Sequence, residues 1–310
     1  MSSTSFLTSS SIAPPSEAQI AAFLADVAKM KNPLKPLVTV DFPLIKREGA
    51  QVVAGDISRL GYGGAKALTT ATSKDSVLYL NADLLILGID RILEMKRYNT
   101  ANESLSKTAV LIPAFFAAIT GQANVNEHSP DPQNKQYGNQ CEAVQKYFKV
   151  KNGRTPFHQL EAIVFPLADA LHFSLTLIWR PDLLIDGHCK IYNFDSLGEY
   201  HFSACHQRIL RHLVKNLYLT SDKGASVSQV AQAASKVECI KVKVTSQRNY
   251  VDCGIHTILN FDILIEKLET ALARKRLVIL QCYSTQFVWY LIAWWYLLYS
   301  LSLFAIIFIL

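Results

Sequence analysis

The sequence predicts an α+β fold with a central mixed sheet flanked by helices. Three observations predict it: an apolar segment with helical spacing begins near Asn81, strand-like alternating runs cluster between residues 160 and 244, and an apolar run of helical period covers residues 255–264. Helices that precede and follow a group of strands, with no regular alternation of strand and helix, are typical of α+β layers. The sequence contains no internal repeat.

The composition indicates one large domain or two small ones in a reducing compartment. Hydrophobic residues make up 50% of the 310 residues and charged residues 18%, with the apolar excess at the C-terminal end. The net charge of +6 is not concentrated in a long basic run, so we expect no nucleic-acid partner. The cysteines lack paired spacing and no secretory signal opens the chain, which favours free thiols inside the cell. The six are Cys141, Cys189, Cys205, Cys239, Cys253 and Cys282.

We divide the chain into four segments. Residues 1–36 are rich in Ser and Thr and are expected to be disordered apart from a short helix. Residues 37–75 are a variable lead-in with short strand-like runs, residues 76–276 hold the main helices and strands, and residues 277–310 are a hydrophobic tail.

Local signals predict the elements of the main segment. Asn81 is a good N-cap, and Asp83 lies in the first turn of the buried helix that follows it. An apolar segment covers residues 109–119, a polar loop covers residues 121–138, and residues 141–150 have helical amphipathic spacing.

The later elements alternate strands with turns and helices. Strands are predicted at 160–166, 172–179, 190–195 and 237–244. The connections are predicted as a turn at 181–187, a helix at 197–217 and an exposed crossover at 220–235.

One stretch carries most of the candidate chemistry: Gln247-Arg248-Asn249-Tyr250-Val251-Asp252-Cys253-Gly254, between a strand and a helix. Cys253 is therefore predicted at a helix N-terminus, where the positive end of the helix dipole stabilises a thiolate over a thiol. Gln247 lies in the loop that leads into the same turn, so its side-chain amide is placed to contact an oxyanion beside the sulfur.

A thiolate nucleophile needs a base, and the base needs an orienting group; both candidates lie upstream. His172 opens one predicted strand, and Asp195 closes the next one. Adjacent strands hold an imidazole and a carboxylate side by side. Together with Gln247 and Cys253, these residues make a full set of cysteine-protease parts.

These motifs resemble those of the ubiquitin-like-protein-specific cysteine proteases, the adenain-like group that processes and removes SUMO and its relatives. That family carries His-Trp, aromatic-Asp-Ser-Leu, Gln-x-Asn-x-x-Asp-Cys-Gly and an early Trp-Leu-Asn-Asp. The corresponding stretches here are His172-Phe173, Phe194-Asp195-Ser196-Leu197, residues 247–254 and Tyr79-Leu80-Asn81-Ala82. The resemblance runs from about residue 76 to about residue 272.

The resemblance implies a papain-like, adenain-like cysteine protease fold and a catalytic set of Cys253, His172, Asp195 and Gln247. It implies cleavage after the C-terminal Gly-Gly of a ubiquitin-like modifier, in precursor processing, deconjugation or both. We expect a monomer that needs no cofactor and whose partners are the modifier and its conjugates. The alternative function is a catalytically inactive module of the same fold that binds a modifier at a membrane.

The resemblance also implies a substrate-binding set. Tyr79 and Phe173 stand where the family has the tryptophans that wall a narrow tunnel for a Gly-Gly tail, and both are still flat and aromatic. Asn249 and Asp252 complete the set, with Asn249 bracing the loop and Asp252 anchoring the turn before the nucleophile.

Each candidate also has a structural explanation. A buried cysteine before a helix is commonly inert, a strand-end histidine commonly makes a structural hydrogen bond, and Asp-Ser is a frequent turn pair. The spacing of His201, Cys205, His206 and His212 does not follow a structural zinc pattern, so we expect no metal. Three further histidines are expected to be surface or structural residues: His158, His188 and His256.

The tail has the composition of a membrane anchor, because no residue from 277 to 310 is charged. As a helix, residues 287–310 would be about 36 Å long, against a hydrocarbon core of roughly 30 Å. The basic run Arg274-Lys275-Arg276 before the tail predicts that the preceding domain faces the cytosol. The alternative explanations of this tail are a buried core helix or a sequence translated from non-coding DNA. If the tail is not an anchor, we expect the protein in the nucleus or cytoplasm.

Overall fold

The computed structural model describes most of the predicted main segment and part of the lead-in. The described residues are 22, 36–42, 47–53, 80, 82–99, 107–111, 113, 155–168, 172–222, 224–247 and 252–274. The predictions for residues 1–21, 23–35, 121–138, 141–150 and 277–310 therefore lie outside the described residues. Among the described helices, none combines the length and the apolar character needed to cross a membrane.

Two sheets account for the described strands. In the lead-in, β1 (Pro36–Phe42) and β2 (Arg47–Val53) form an antiparallel pair. The main sheet has the order β3-β4-β5-β6-β7. Its strands are β3 (Thr108–Val110), β4 (Ala162–Ala168), β5 (Phe173–Trp179), β6 (Lys190–Phe194) and β7 (Glu238–Val242). The three central strands are antiparallel and both outer strands are parallel to their neighbours, which confirms the predicted mixed sheet.

Helices cover both faces of the main sheet, because successive strand residues point to opposite faces. In the described part of the chain, the helices that pack on this sheet are α1 (Ala82–Asn99), α2 (Ala204–Ser221), α3 (Val227–Ser235) and α4 (Cys253–Arg274). Val164 of β4 packs in one apolar cluster with α1 and α4, and its neighbours Ile163 and Phe165 pack in the other with α2 and α3. Helix α4, which begins at Cys253, thus packs on the same face of the sheet as α1.

Helix α2 begins later than the sequence predicted. The predicted helix over 197–217 was wrong at its start, since the chain turns until Ala204. The carboxylate of Asp195 accepts two main-chain N–H groups of this turn, and Gly198 has a left-handed φ of 92°. The side chain of Ser203 then caps the helix by accepting a main-chain N–H. These local contacts outweigh helix propensity in the turn.

Helix α3 (Val227–Ser235) lies in the segment predicted to be an exposed crossover. The segment belongs to the connection between the parallel strands β6 and β7 and is mostly exposed, but the sequence analysis did not predict its helix. Val230 and Ala234 lie one turn apart and are both buried in the cluster that includes α2. Two small apolar residues at this spacing are enough for a docked helix, although the segment reads as polar overall.

The N-terminal end of α4 approaches the chain segment before α1 very closely. Gly254 is the second residue of α4, and a Cβ added there would lie 2.7 Å from the Cβ of Leu80. That distance is shorter than van der Waals contact, so only glycine fits without movement. The contact places Leu80, the neighbour of Tyr79, against the turn that carries Cys253.

We expect Gly254→Ala to destabilise the protein by about 1–3 kcal/mol, because the added methyl group overpacks a rigid contact. Urea unfolding followed by circular dichroism measures this. Gly224→Ala is the matched control: that position is exposed, and the added Cβ would lie 3.5 Å from Asp222 Oδ1. Equal unfolding midpoints for Gly254→Ala and the wild type would show that Leu80 does not press on α4.

Candidate active site

The sheet brings four predicted site residues to one edge. His172 directly precedes β5, and Asp195 directly follows β6, its antiparallel neighbour. The start of β5 therefore lies beside the end of β6. Because β7 runs parallel to β6, the chain also leaves β7 at this edge, passes Gln247 and enters α4 at Cys253.

His172 and Asp195 form a buried hydrogen-bonded pair. The Nε2–H of His172 donates to Oδ1 of Asp195 over 2.8 Å. The exposed fractions of His172, Asp195 and Cys253 are 2%, 3% and 1%, so water does not compete for these contacts. A charge-assisted hydrogen bond in such surroundings is stronger than one at the surface.

Cys253 joins this pair through the imidazole ring. Its side chain is within hydrogen-bonding reach of the His172 side chain. Because Asp195 occupies Nε2, Nδ1 is the ring nitrogen that remains for the sulfur. Thiol, imidazole and carboxylate thus lie in series, an order in which a proton can pass between sulfur and imidazole once they come into contact.

The surroundings set the charge of the imidazole and of the carboxylate. Burial lowers the pKa of His172, but hydrogen bonds and charges from Asp195 and Cys253 outweigh burial and raise it to about 9. Burial likewise disfavours the Asp195 carboxylate, but the hydrogen bonds from His172 and from the backbone N–H of His201 outweigh burial and lower its pKa. At neutral pH the pair is therefore imidazolium and carboxylate.

Aromatic rings enclose the imidazole. The ring of Tyr200 lies edge-on to His172 with 4.9 Å between centroids, and the ring of His201 lies 5.0 Å away. His256, one turn into α4, is also buried near His172. Burial and the charge of His172 lower the pKa of His256 to about 4, so this third imidazole is neutral at physiological pH.

Comparison with known families shows which family the chain belongs to. The family model described as the Ulp1 protease family, C-terminal catalytic domain, matches residues 80–285, more than half of the chain. The chain belongs to this family of ubiquitin-like-protein-specific cysteine proteases. It is therefore a cysteine-type peptidase, as the sequence motifs predicted.

Solved structures support the Ulp1-type fold. A structure described as the de-sumoylating protease has a TM-score of 0.50 at 15% identity, over 81% of this chain and 80% of that chain. A structure of SUMO protease Ulp1 with its catalytic cysteine oxidized to a sulfonic acid has a TM-score of 0.50 at 14% identity, over 94% and 97%. Comparison with curated protein sequences gives no match.

The structure places three of the remaining predicted site residues of this Ulp1-family domain, each with different contacts: Gln247, Phe173 and Asp252. Gln247 lies between β7 and α4, and its Oε1 accepts a hydrogen bond from Ser196 Oγ at 2.5 Å. Phe173 is half-buried and packs against the cluster that contains Leu80. The carbonyl of Asp252 accepts the N–H of His256 at 3.0 Å, so this residue holds the first turn of α4. Tyr79 and Asn249 lie outside the described residues.

A buried polar layer behind Asp195 was not predicted from the sequence. The ring Nδ1 of His201 lies 2.8 Å from Ser174 Oγ, and Asn193 Nδ2 donates to the same oxygen over 3.4 Å. Since the backbone N–H of His201 also binds Asp195, this layer supports the carboxylate. The sequence did contain a signal for this layer, namely polar residues such as Thr176 within the apolar strands β5 and β6, where the structure shows them buried.

The His-Cys group considered from the sequence does not assemble as a metal site in the described part of the chain. There, the one set of three close ligand atoms belongs to His172, Asp195 and His201, within 4.8 Å of one another. The first two already bind each other, and the ring of His201 binds Ser174. We therefore assign this set to hydrogen bonding.

We expect Asp195→Asn to lower the pKa of His172 from about 9 by about 1–3 units, because an opposing charge is lost. Titration of the His172 ring by NMR measures the shift. The raised pKa also means that the stability contributed by protonated His172 is lost as pH rises from 6.5 through about 9, a loss that the variant should show less. The lowered pKa of Asp195 limits the pair on the acid side, because its contribution is present above pH 3.8 and is lost as pH falls below that value.

Asp182→Asn is the matched control for this titration, because it removes a carboxylate that pairs with Arg180 at a distance from the site. This control should leave the His172 titration unchanged. A His172 pKa that is the same in wild type and Asp195→Asn would contradict the proposed electrostatic role of Asp195.

Proposed function

We propose that the protein cleaves after the C-terminal Gly-Gly of a ubiquitin-like modifier, SUMO or a relative, either to mature precursors or to release conjugates. The buried hydrogen bond between His172 and Asp195, beside a cysteine that opens a helix, carries the proposal. Membership of the Ulp1 family supports peptidase chemistry. The relatives described as SUMO proteases support a modifier of the SUMO type.

In the proposed reaction, Cys253 acts as a thiolate paired with the imidazolium of His172. The sulfur attacks the carbonyl carbon of the terminal glycine, and the carbonyl oxygen becomes an oxyanion. The side-chain amide of Gln247 and the backbone N–H of Cys253 donate to that oxygen. Such donors contribute about 3 kcal/mol each to stabilising the transition state in comparable sites.

His172 then acts as general acid. It gives its proton to the leaving amine, the carbon–nitrogen bond breaks, and a thioester between glycine and Cys253 remains. Water attacks the thioester while the neutral imidazole takes its proton, which regenerates thiolate and imidazolium. Asp195 holds the ring in the productive orientation and stabilises its charge throughout, which agrees with the raised pKa of His172.

The proposed selectivity for glycine comes from flat walls beside the nucleophile. Phe173 follows His172 directly and packs against the cluster that contains Leu80. Leu80 in turn contacts Gly254, the residue after the nucleophile. We propose that Phe173 and Tyr79, the neighbour of Leu80, flank the tail of the modifier and exclude side chains larger than hydrogen.

We expect Cys253→Ala to reduce kcat for a SUMO–aminomethylcoumarin conjugate by roughly 10³-fold or more, because the nucleophile is lost. Release of the fluorophore measures turnover. Cys239→Ser is the matched control, since this half-buried thiol on β7 lies outside the proposed machinery and should keep turnover. Turnover by Cys253→Ala at the wild-type rate would reject the assignment.

A catalytically inactive binding module is the alternative. A modifier that carries a C-terminal vinyl sulfone separates the two functions, because covalent labelling requires a reactive cysteine. Labelling of wild type but not Cys253→Ala supports the protease; binding without labelling supports the module. A panel of tagged ubiquitin-like modifiers then identifies the preferred partner.

We also propose that residues 277–310 anchor the domain in a membrane with its catalytic part in the cytosol, because this segment carries no charge. The wild-type protein should remain in membranes after alkaline carbonate extraction. Replacing Ile292 and Leu298 by Arg should release it, since each Arg costs about 2.5–3.5 kcal/mol at the centre of a spanning helix. Complete extraction of the wild type would contradict the anchor.

A further inference from the structure

The loop residue Gln247 is held at two points by one residue of another element. Its main-chain N–H donates to the carbonyl oxygen of Ser196 over 3.1 Å. Its side-chain Oε1 accepts the hydroxyl hydrogen of Ser196 over 2.5 Å. Main chain and side chain of Gln247 are therefore both fixed against the turn that follows β6.

The hydroxyl contact determines which end of the amide is available. A glutamine side chain has an acceptor oxygen and a donor nitrogen on the same carbon, and rotation about the terminal bond exchanges them. With the oxygen bound to Ser196, the NH₂ group is directed away from Ser196. Without that contact, the amide can rotate and present its oxygen, which would repel an oxyanion.

The contact is also protected from water. Ser196 is buried, whereas Gln247 is only half-buried, so its bound end faces the protein interior. The turn itself is rigid: Asp195 accepts the N–H of Leu197 with its carboxylate and that of Gly198 with its carbonyl oxygen. One turn thus presents a carboxylate to His172 and a hydroxyl to Gln247.

We propose that Ser196 is a positioning residue that orients the Gln247 amide toward the oxyanion of the reaction. This inference rests on the proposed function, because it assumes that Gln247 donates to that oxyanion. Two adjacent residues then prepare the site before the substrate arrives. Asp195 keeps the imidazole of His172 charged, and Ser196 keeps the amide donor of Gln247 in place. Such preorganisation is what makes an oxyanion contact effective.

The test is a double-mutant cycle on turnover of the SUMO–aminomethylcoumarin conjugate. Ser196→Ala should lower kcat about tenfold with little change in KM, as expected for loss of one orienting hydrogen bond. Gln247→Ala should lower kcat about 10²–10³-fold. In the Gln247→Ala background, Ser196→Ala should have no further effect. With Gln247 present, Ser196→Thr, which keeps the hydroxyl, should retain most of the wild-type kcat.

Alkylation by iodoacetamide separates this role from a general structural one. Alkylation needs the sulfur nucleophile but forms no oxyanion, so its rate should be the same in Ser196→Ala and wild type. Ser228→Ala removes an exposed hydroxyl–hydroxyl contact elsewhere and is the matched control for kcat. Ser196 and Gln247 effects that multiply independently, or an alkylation rate that falls with kcat, would overturn the proposal.

The outcomes distinguish this proposal from the proposed function. Slow turnover by Gln247→Ala with normal turnover by Ser196→Ala overturns only the positioning role. If the wild type does not cleave the conjugate, the protease assignment fails. The contact between Ser196 and Gln247 is then tested without turnover, by NMR of the Gln247 side-chain amide. A ¹⁵N order parameter of the Gln247 side-chain NH₂ group that falls in Ser196→Ala supports the contact, because the amide then moves more freely; an unchanged order parameter overturns it.

Discussion

The geometry of the candidate active site depends on the carboxylate of Asp195, which stays ionised although it is buried. Moving a carboxylate out of water costs several kcal/mol, and only well-aligned donors offset that cost. Asp195 has three: the imidazole of His172 and the backbone N–H groups of Leu197 and His201. The same contacts that satisfy the carboxylate hold His172 protonated, so the stability of the site and its proposed chemistry have one physical origin.

The mixed sheet brings these groups together from distant parts of the chain. Antiparallel pairing of β5 and β6 places His172 beside Asp195, and parallel pairing of β6 and β7 returns the chain to the same edge before α4. The close contact of Leu80 with Gly254 then holds the start of α4. Cys253, the proposed nucleophile, is therefore held between the sheet on one side and the Leu80 contact on the other.

The sequence predicted the parts of the site better than the contacts between them. Short motifs indicated Cys253, His172 and Asp195, because their chemistry requires those residue types at strand and helix ends. The turn before α2 was predicted as helix, because the local pattern does not reveal that Asp195 will bind its N–H groups. Likewise Ser196 was noted only within a motif, since its pairing with Gln247 joins positions 51 residues apart.

The contact of thiol with imidazole is tested most directly by chemical cross-linking. Dibromoacetone carries two electrophilic carbons separated by a carbonyl group, so it joins a cysteine and a histidine that face each other at short range. After treatment near pH 9, where about half of His172 is neutral and can react, and after proteolysis, mass spectrometry should find one cross-link between Cys253 and His172. A cross-link from Cys253 to a different histidine, or alkylation of Cys253 without any cross-link, would contradict the account.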